Sequence, residues 1–138
     1  MTLTEKVDDF AEAFENCELD KVMAWFAPDA VYTSYDGKRS EGLSAIRKEF
    51  SRLFSGTYGR LIFHHGQTIV DEDEKKVVYT WSCEHDLTQG CSPLLKPIRF
   101  FTSTNKRWEG LDIFLFDENG ERIIEKQVYC RSVLPKIK

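Results

Sequence analysis

Asp112 is the side chain whose setting in this sequence most strongly asks for chemistry. It stands in the run Gly110-Leu-Asp-Ile-Phe-Leu-Phe116, where almost every other residue is apolar. A carboxylate in such a strand is costly unless it is satisfied. It is either paired with a cation such as Lys126, or it faces a pocket where it can exchange a proton. His85, in Glu84-His-Asp86, is the second candidate for proton transfer, because histidine titrates near neutral pH. Its plainer reading is a solvated residue at a strand end. Tyr32 and Ser34 bring hydroxyls that can orient a ligand, and Trp81, Cys83, Phe114 and Lys126 complete the expected pocket wall. His64 and His65 are adjacent, so in a strand they face opposite sides and cannot form one metal site. No two of Cys17, Cys83, Cys91 and Cys130 show Cys-x-x-Cys spacing. Neither a metal nor a cofactor is therefore expected. Cys83 and Cys130 read as buried packing, with no base placed beside either.

Hydrophobic periodicity predicts the scaffold for these groups. A helix spans 4–16 with Thr4 as N-cap, carrying Val7, Phe10, Ala11 and Phe14 on one face. A second short helix, over 18–26, ends ahead of Pro28. A strand over 29–35 and a turn through 36–42 follow. A third helix begins near Ser44, with Ile46, Phe50, Leu53 and Phe54 as its stripe. The chain then turns to strands: 60–71, 76–87, one within 98–117, and 122–132, the last two joined by the turn residues Asp117-Glu-Asn-Gly120. Helices first and hairpin-linked strands after point to a single α+β domain over 1–138, with helices on one face of a curved antiparallel sheet.

Bulk properties narrow the function. A net charge of −4 offers no field for nucleic acid or an anionic membrane. The acidic N-terminal stretch is unlike a signal peptide, and no apolar run reaches transmembrane length. A cytoplasmic protein with reduced thiols is expected. Aromatic residues at 13% suffice to line a cavity as well as fill a core.

Three stretches carry a resemblance. Leu19-Asp-Lys-Val-Met-Ala-Trp-Phe-Ala-Pro-Asp-Ala-Val-Tyr32, with its aromatic-Ala-x-Asp-Ala segment, resembles the passage from second helix to first strand in the nuclear transport factor 2-like superfamily. That group includes the SnoaL-like polyketide cyclases, ketosteroid isomerases and limonene epoxide hydrolases. The segments 37–54 and 110–129 are similar to its third-helix opening and its final hairpin. The resemblance implies a cone, in which a bent sheet wraps a cavity closed by three N-terminal helices. It also implies a homodimer through the outer sheet face, consistent with apolar residues on both faces of 111–116. Asp112 matches the isomerase acid that donates a hydrogen bond to an oxyanion. The isomerase base would fall near Ser34 and its tyrosine near Phe10, so steroid isomerisation is disfavoured. The epoxide hydrolase arrangement is also missing: no Arg stands between Glu84 and Asp86, and Val128 occupies the second acid's place. SnoaL-type cyclases use a His and an Asp, which leaves Asp112 with His85 open. The expected function is binding, with acid–base conversion, of a small hydrophobic or aromatic molecule. The alternatives are a non-catalytic association module and, more remotely, a transport factor. The stretch from Leu87 to Lys106 reads equally as a lid or an interface arm, with Arg99 and Lys106 as candidate anion contacts.

Overall fold

The structure, a computed structural model, describes residues 1–56, 58–91 and 105–133. Three helices, α1 (Leu3–Glu15), α2 (Leu19–Ala24) and α3 (Leu43–Phe54), pack with six strands: β1 (Phe26–Thr33), β2 (Arg39–Glu41), β3 (Tyr58–Asp71), β4 (Lys76–Cys91), β5 (Asn105–Phe116) and β6 (Ile123–Val133). The fold is α+β, as expected.

The N-cap of α1 is Thr2 and not Thr4. Thr2 Oγ1 accepts from the Glu5 amide at 3.1 Å, and the Glu5 carboxylate accepts from the Thr2 amide at 2.7 Å. This reciprocal pair satisfies two groups the helix start would otherwise leave open. The second helix stops at Ala24, and Pro28 lies within β1 instead of ending the helix. The ladder from β1 to β6 is irregular between Phe26 and Val31, where the missing N–H of a proline is tolerated. Residues 39–41, expected in a turn, form the short strand β2. The β5–β6 hairpin closes through Gly120, at φ +66°, whose amide bonds the Asp117 carbonyl at 2.8 Å.

The sheet order is β2-β1-β6-β5-β4-β3. The sheet is open and mixed, because β1 runs parallel to β6 while its other pairings are antiparallel. Irregularities in β3 and at the end of β5 bend the ladders. Register sorts side chains into rows on the helix-facing side. Val70, Val77, Phe114, Lys126 and Tyr32 form one row, Thr68, Tyr79, Asp112 and Val128 the next, and His65, Trp81, Gly110 and Cys130 a third. Against this face pack Val7, Phe10, Val22, Ile46 and Phe50 from the helices. Phe10 meets Phe114 at 5.3 Å and Phe14 meets Phe63 at 5.3 Å, both edge-on, a favourable ring geometry.

Candidate functional site

The helix-facing side of the sheet is not fully filled. A cavity of about 310 Å³ remains between α1, α3 and the inner face of the sheet, lined mainly by apolar and aromatic side chains. Its polar groups are few, and the centre of them is Asp112. Trp81 Nε1 donates to Asp112 Oδ1 at 3.0 Å, and Lys126 Nζ lies 3.2 Å from Oδ2. Indole N–H and ammonium are donors only, so both carboxylate oxygens accept. The side chains of Lys126 and Asp112 are 4% and 15% exposed. The two readings of Asp112 thus hold together: it is paired with Lys126, and it faces the cavity.

The register explains this contact. Phe114 pairs with Lys126 and Asp112 with Val128, so Asp112 and Lys126 are diagonal neighbours on one face. Aromatic rings surround the ammonium: Tyr32, Phe114, Phe10 and Phe50 have centroids 5.1, 5.4, 5.7 and 6.0 Å from Nζ. Their faces favour a cation. Trp81 reaches Asp112 because its neighbour across the ladder is Gly110. A Cβ at 110 would come within 2.7 Å of the Trp81 ring, 2.4 Å of the Tyr129 carbonyl oxygen and 2.8 Å of Cys130 Cβ.

The remaining expected site residues are placed as follows. Tyr32, Trp81, Cys83, Phe114 and Lys126 line the cavity with Asp112. Burial and the Asp112 charge push the Tyr32 phenol up, while a side-chain hydrogen bond with Ser34 opposes them. Ser34 is buried but does not line the cavity; its side chain bonds that of Tyr32, and its amide bonds the Lys38 carbonyl at 2.9 Å. Burial pushes the Cys83 thiol up to about 12 and raises Cys130 as well, which suits inert packing and not nucleophilic attack. His85 lies on β4 opposite Leu61 and Lys106; its side chain lies outside the described residues. So do the side chains of Arg99 and Lys106 and most of the segment expected as lid or arm.

Sequence reasoning missed His65 and Tyr79, both on the cavity wall, and Cys130 beside them. Adjacent His64 and His65 cannot share one metal site, yet their opposite facing is what lets one of the two point inward. Its partner in register is Trp81. Among the described residues no group of three His, Cys, Asp or Glu could hold a metal ion, and no helix is long and apolar enough to cross a membrane.

The epoxide hydrolase/cyclase-like enzyme SalBIII, described for a role in pyran ring formation in the polyether salinomycin, superposes with a TM-score of 0.71 at 21% identity. The match covers 94% of this chain and 90% of that one. AusH from Aspergillus nidulans matches at 0.71 and 16%, over 96% and 85% of the two chains. An uncharacterised cystatin-fold protein from Novosphingobium aromaticivorans matches at 0.69 and 12%, over 93% and 97%. At these identities the likeness speaks for the fold, and the nuclear transport factor 2-like resemblance read from the sequence holds at that level. No curated protein sequence matches. The SnoaL-like domain model, however, matches residues 7–126, which run from the second turn of α1 to Lys126 itself, and the chain belongs to the SnoaL-like domain family.

Proposed function

We propose that the cavity binds a small, largely aromatic carbonyl compound and that Asp112 moves a proton on it. The observation that carries this reading is the Asp112–Lys126 pair, buried among aromatic rings on the cavity wall. Stability alone does not favour such a pair, since an apolar replacement of similar volume is often neutral or better. In the proposed step, one Asp112 oxygen takes a proton from the carbon next to the carbonyl. The charge that develops on the carbonyl oxygen is received by the Lys126 ammonium beside it. The Asp112 carboxylic acid so formed then returns the proton to the same or a neighbouring carbon. With both oxygens already accepting, Asp112 is assigned the role of base in this step, unlike the hydrogen-bond-donating acid expected from the isomerases. That SalBIII, which shares the fold, is an epoxide hydrolase/cyclase-like enzyme with a role in pyran ring formation is compatible with a catalytic reading and names no substrate for this chain.

The test is deuterium exchange at the α-carbons of 2-tetralone in D₂O, followed by NMR. The wild type is expected to accelerate exchange over buffer, and Asp112→Asn to lose at least ~100-fold of that acceleration. Equal exchange by both proteins would refute the assignment of Asp112.

The opposite face of the sheet supports a second proposal, self-association. Leu111, Ile113 and Val78 share that face, with Ile69 and Tyr129 beside them at 58% and 56% exposure. A homodimer through this face would cover them. Sedimentation equilibrium is expected to show a dimer at micromolar concentration that Ile69→Asp with Tyr129→Asp dissociates. A wild-type monomer would contradict the proposal.

A further inference from the structure

Strand parity makes the surroundings of His65 unusual. In an unbroken strand His65 and Thr68, an odd number of residues apart, would face opposite sides. Here both face inward, because His65 pairs with Trp81 and Thr68 with Tyr79, leaving Gly66 and Gln67 together opposite Thr80. This is a β-bulge, and bulges commonly re-aim side chains beside functional sites. Thr80 pins it: its Oγ1 accepts from the Gln67 amide at 2.7 Å. A Cβ at position 66 would lie 2.3 Å from that same oxygen, so the bulge needs glycine there.

The bulge leaves the imidazole held on two sides. His65 Nε2 shares a hydrogen bond with Thr68 Oγ1 at 2.9 Å. Tyr79 stacks flat on the ring at 4.1 Å and 2°. The imidazole makes no other hydrogen bond among the described residues, and His65 is an exposed residue of the cavity wall. Its Nδ1 is thus open to water or to a ligand. Strand β4 lies between His65 on β3 and Asp112 on β5, so the two polar ends of the cavity are two strand spacings apart, roughly 10 Å at the backbone.

We propose that His65 is a specificity residue for the outer end of the ligand. It would hydrogen-bond a hydroxyl or carbonyl carried on the far ring of a flat bicyclic molecule whose inner carbonyl sits at Asp112 and Lys126. This rests on the function proposed above and narrows its substrate class to aromatic ketones with a second oxygen at the opposite end. His65 touches the ligand but takes no part in the proton transfer.

The experiment compares 2-tetralone with 6-hydroxy-2-tetralone as ligands of the wild type, His65→Leu and Thr68→Val, using calorimetry. The wild type is expected to prefer the hydroxylated ketone about tenfold, the upper end of what one net hydrogen bond provides. His65→Leu should lose the preference and bind the two ketones alike. Thr68→Val, which frees the imidazole to rotate, should lose part of it and carries the test if His65→Leu does not fold. Equal binding of both ketones by wild type, or a preference that survives His65→Leu, would overturn the role of His65 alone. Binding of neither ketone would overturn this inference and the function it rests on together.

Discussion

Breaking the Asp112–Lys126 pair from one side should cost far more than removing it whole. Lys126 is almost wholly buried and Asp112 nearly so, with one Nζ–Oδ2 contact of 3.2 Å and a Trp81 N–H on the other oxygen. Lys126→Met fills a similar volume but strands a carboxylate with only the indole donor. Asp112→Leu strands an ammonium among four rings. Each single change is expected to cost about 3 kcal/mol, within the range for orphaning a buried charge. For a chain of this size that lowers Tm by roughly 10 °C. The double variant leaves neither charge and should recover most of the loss. The thermodynamic cycle therefore predicts a coupling energy above ~2 kcal/mol, against less than ~1 for a surface pair. Urea unfolding at pH 7, followed by far-UV circular dichroism on the four proteins, measures it. Additive single losses would refute the reasoning, because they would mean that water reaches both charges.

Gly110→Ala should cost about 2–3 kcal/mol, since the added methyl meets the Tyr129 backbone and the Trp81 ring with no free space; differential scanning calorimetry, together with a shifted Trp81 emission, would report it. Cys83 and Tyr79 are both held neutral by burial, each pushed up to about 12. The stability they contribute is complete below pH 9, where the unfolded thiol begins to ionise, and is lost as the pH climbs toward 12. Urea midpoints measured from pH 8 to 11 should therefore fall steadily, with a shallower early fall in Cys83→Ala; a flat profile would contradict the burial of both groups. Thr2→Ala should lose about 1 kcal/mol by removing the α1 cap, read from the same urea curves.

Much of the scaffold was legible because periodicity reports which face of an element is buried. Phe10, Ile46 and Phe50 appear at helical spacing, and Val77, Tyr79, Trp81 and Cys83 alternate along one strand. The same alternation placed Asp112 with Phe114, and so on the inner face. What alternation cannot report is which strand lies alongside. The parallel pairing of β1 with β6 joins segments from opposite ends of the chain, and three-residue β2 is too short to show a pattern. The cap was legible and misread: Thr2-Leu-Thr-Glu5 is a capping box, and choosing Thr4 shifted the helix start by two residues.

The site was half visible for a related reason. Lys126 could be named as the partner of Asp112 because a hairpin register constrains diagonal neighbours. His65 could not be weighed against His85 in the same way, since its orientation depends on a bulge two residues long. Gly66 and Gly110 were the available signals. A glycine inside a strand marks a bulge or a close approach, and both stand beside cavity residues.

The central claim is that the Asp112–Lys126–Trp81 cluster faces a binding cavity. It is tested most directly by following tryptophan indole N–H signals by ¹⁵N NMR as 2-tetralone is added. The Trp81 signal should move most, because its Nε1 lies at the cavity wall on Asp112. The Trp25 signal, bonded to Asp9 at 3.0 Å outside the cavity, should stay in place. A Trp81 signal unmoved at millimolar ketone would contradict the account.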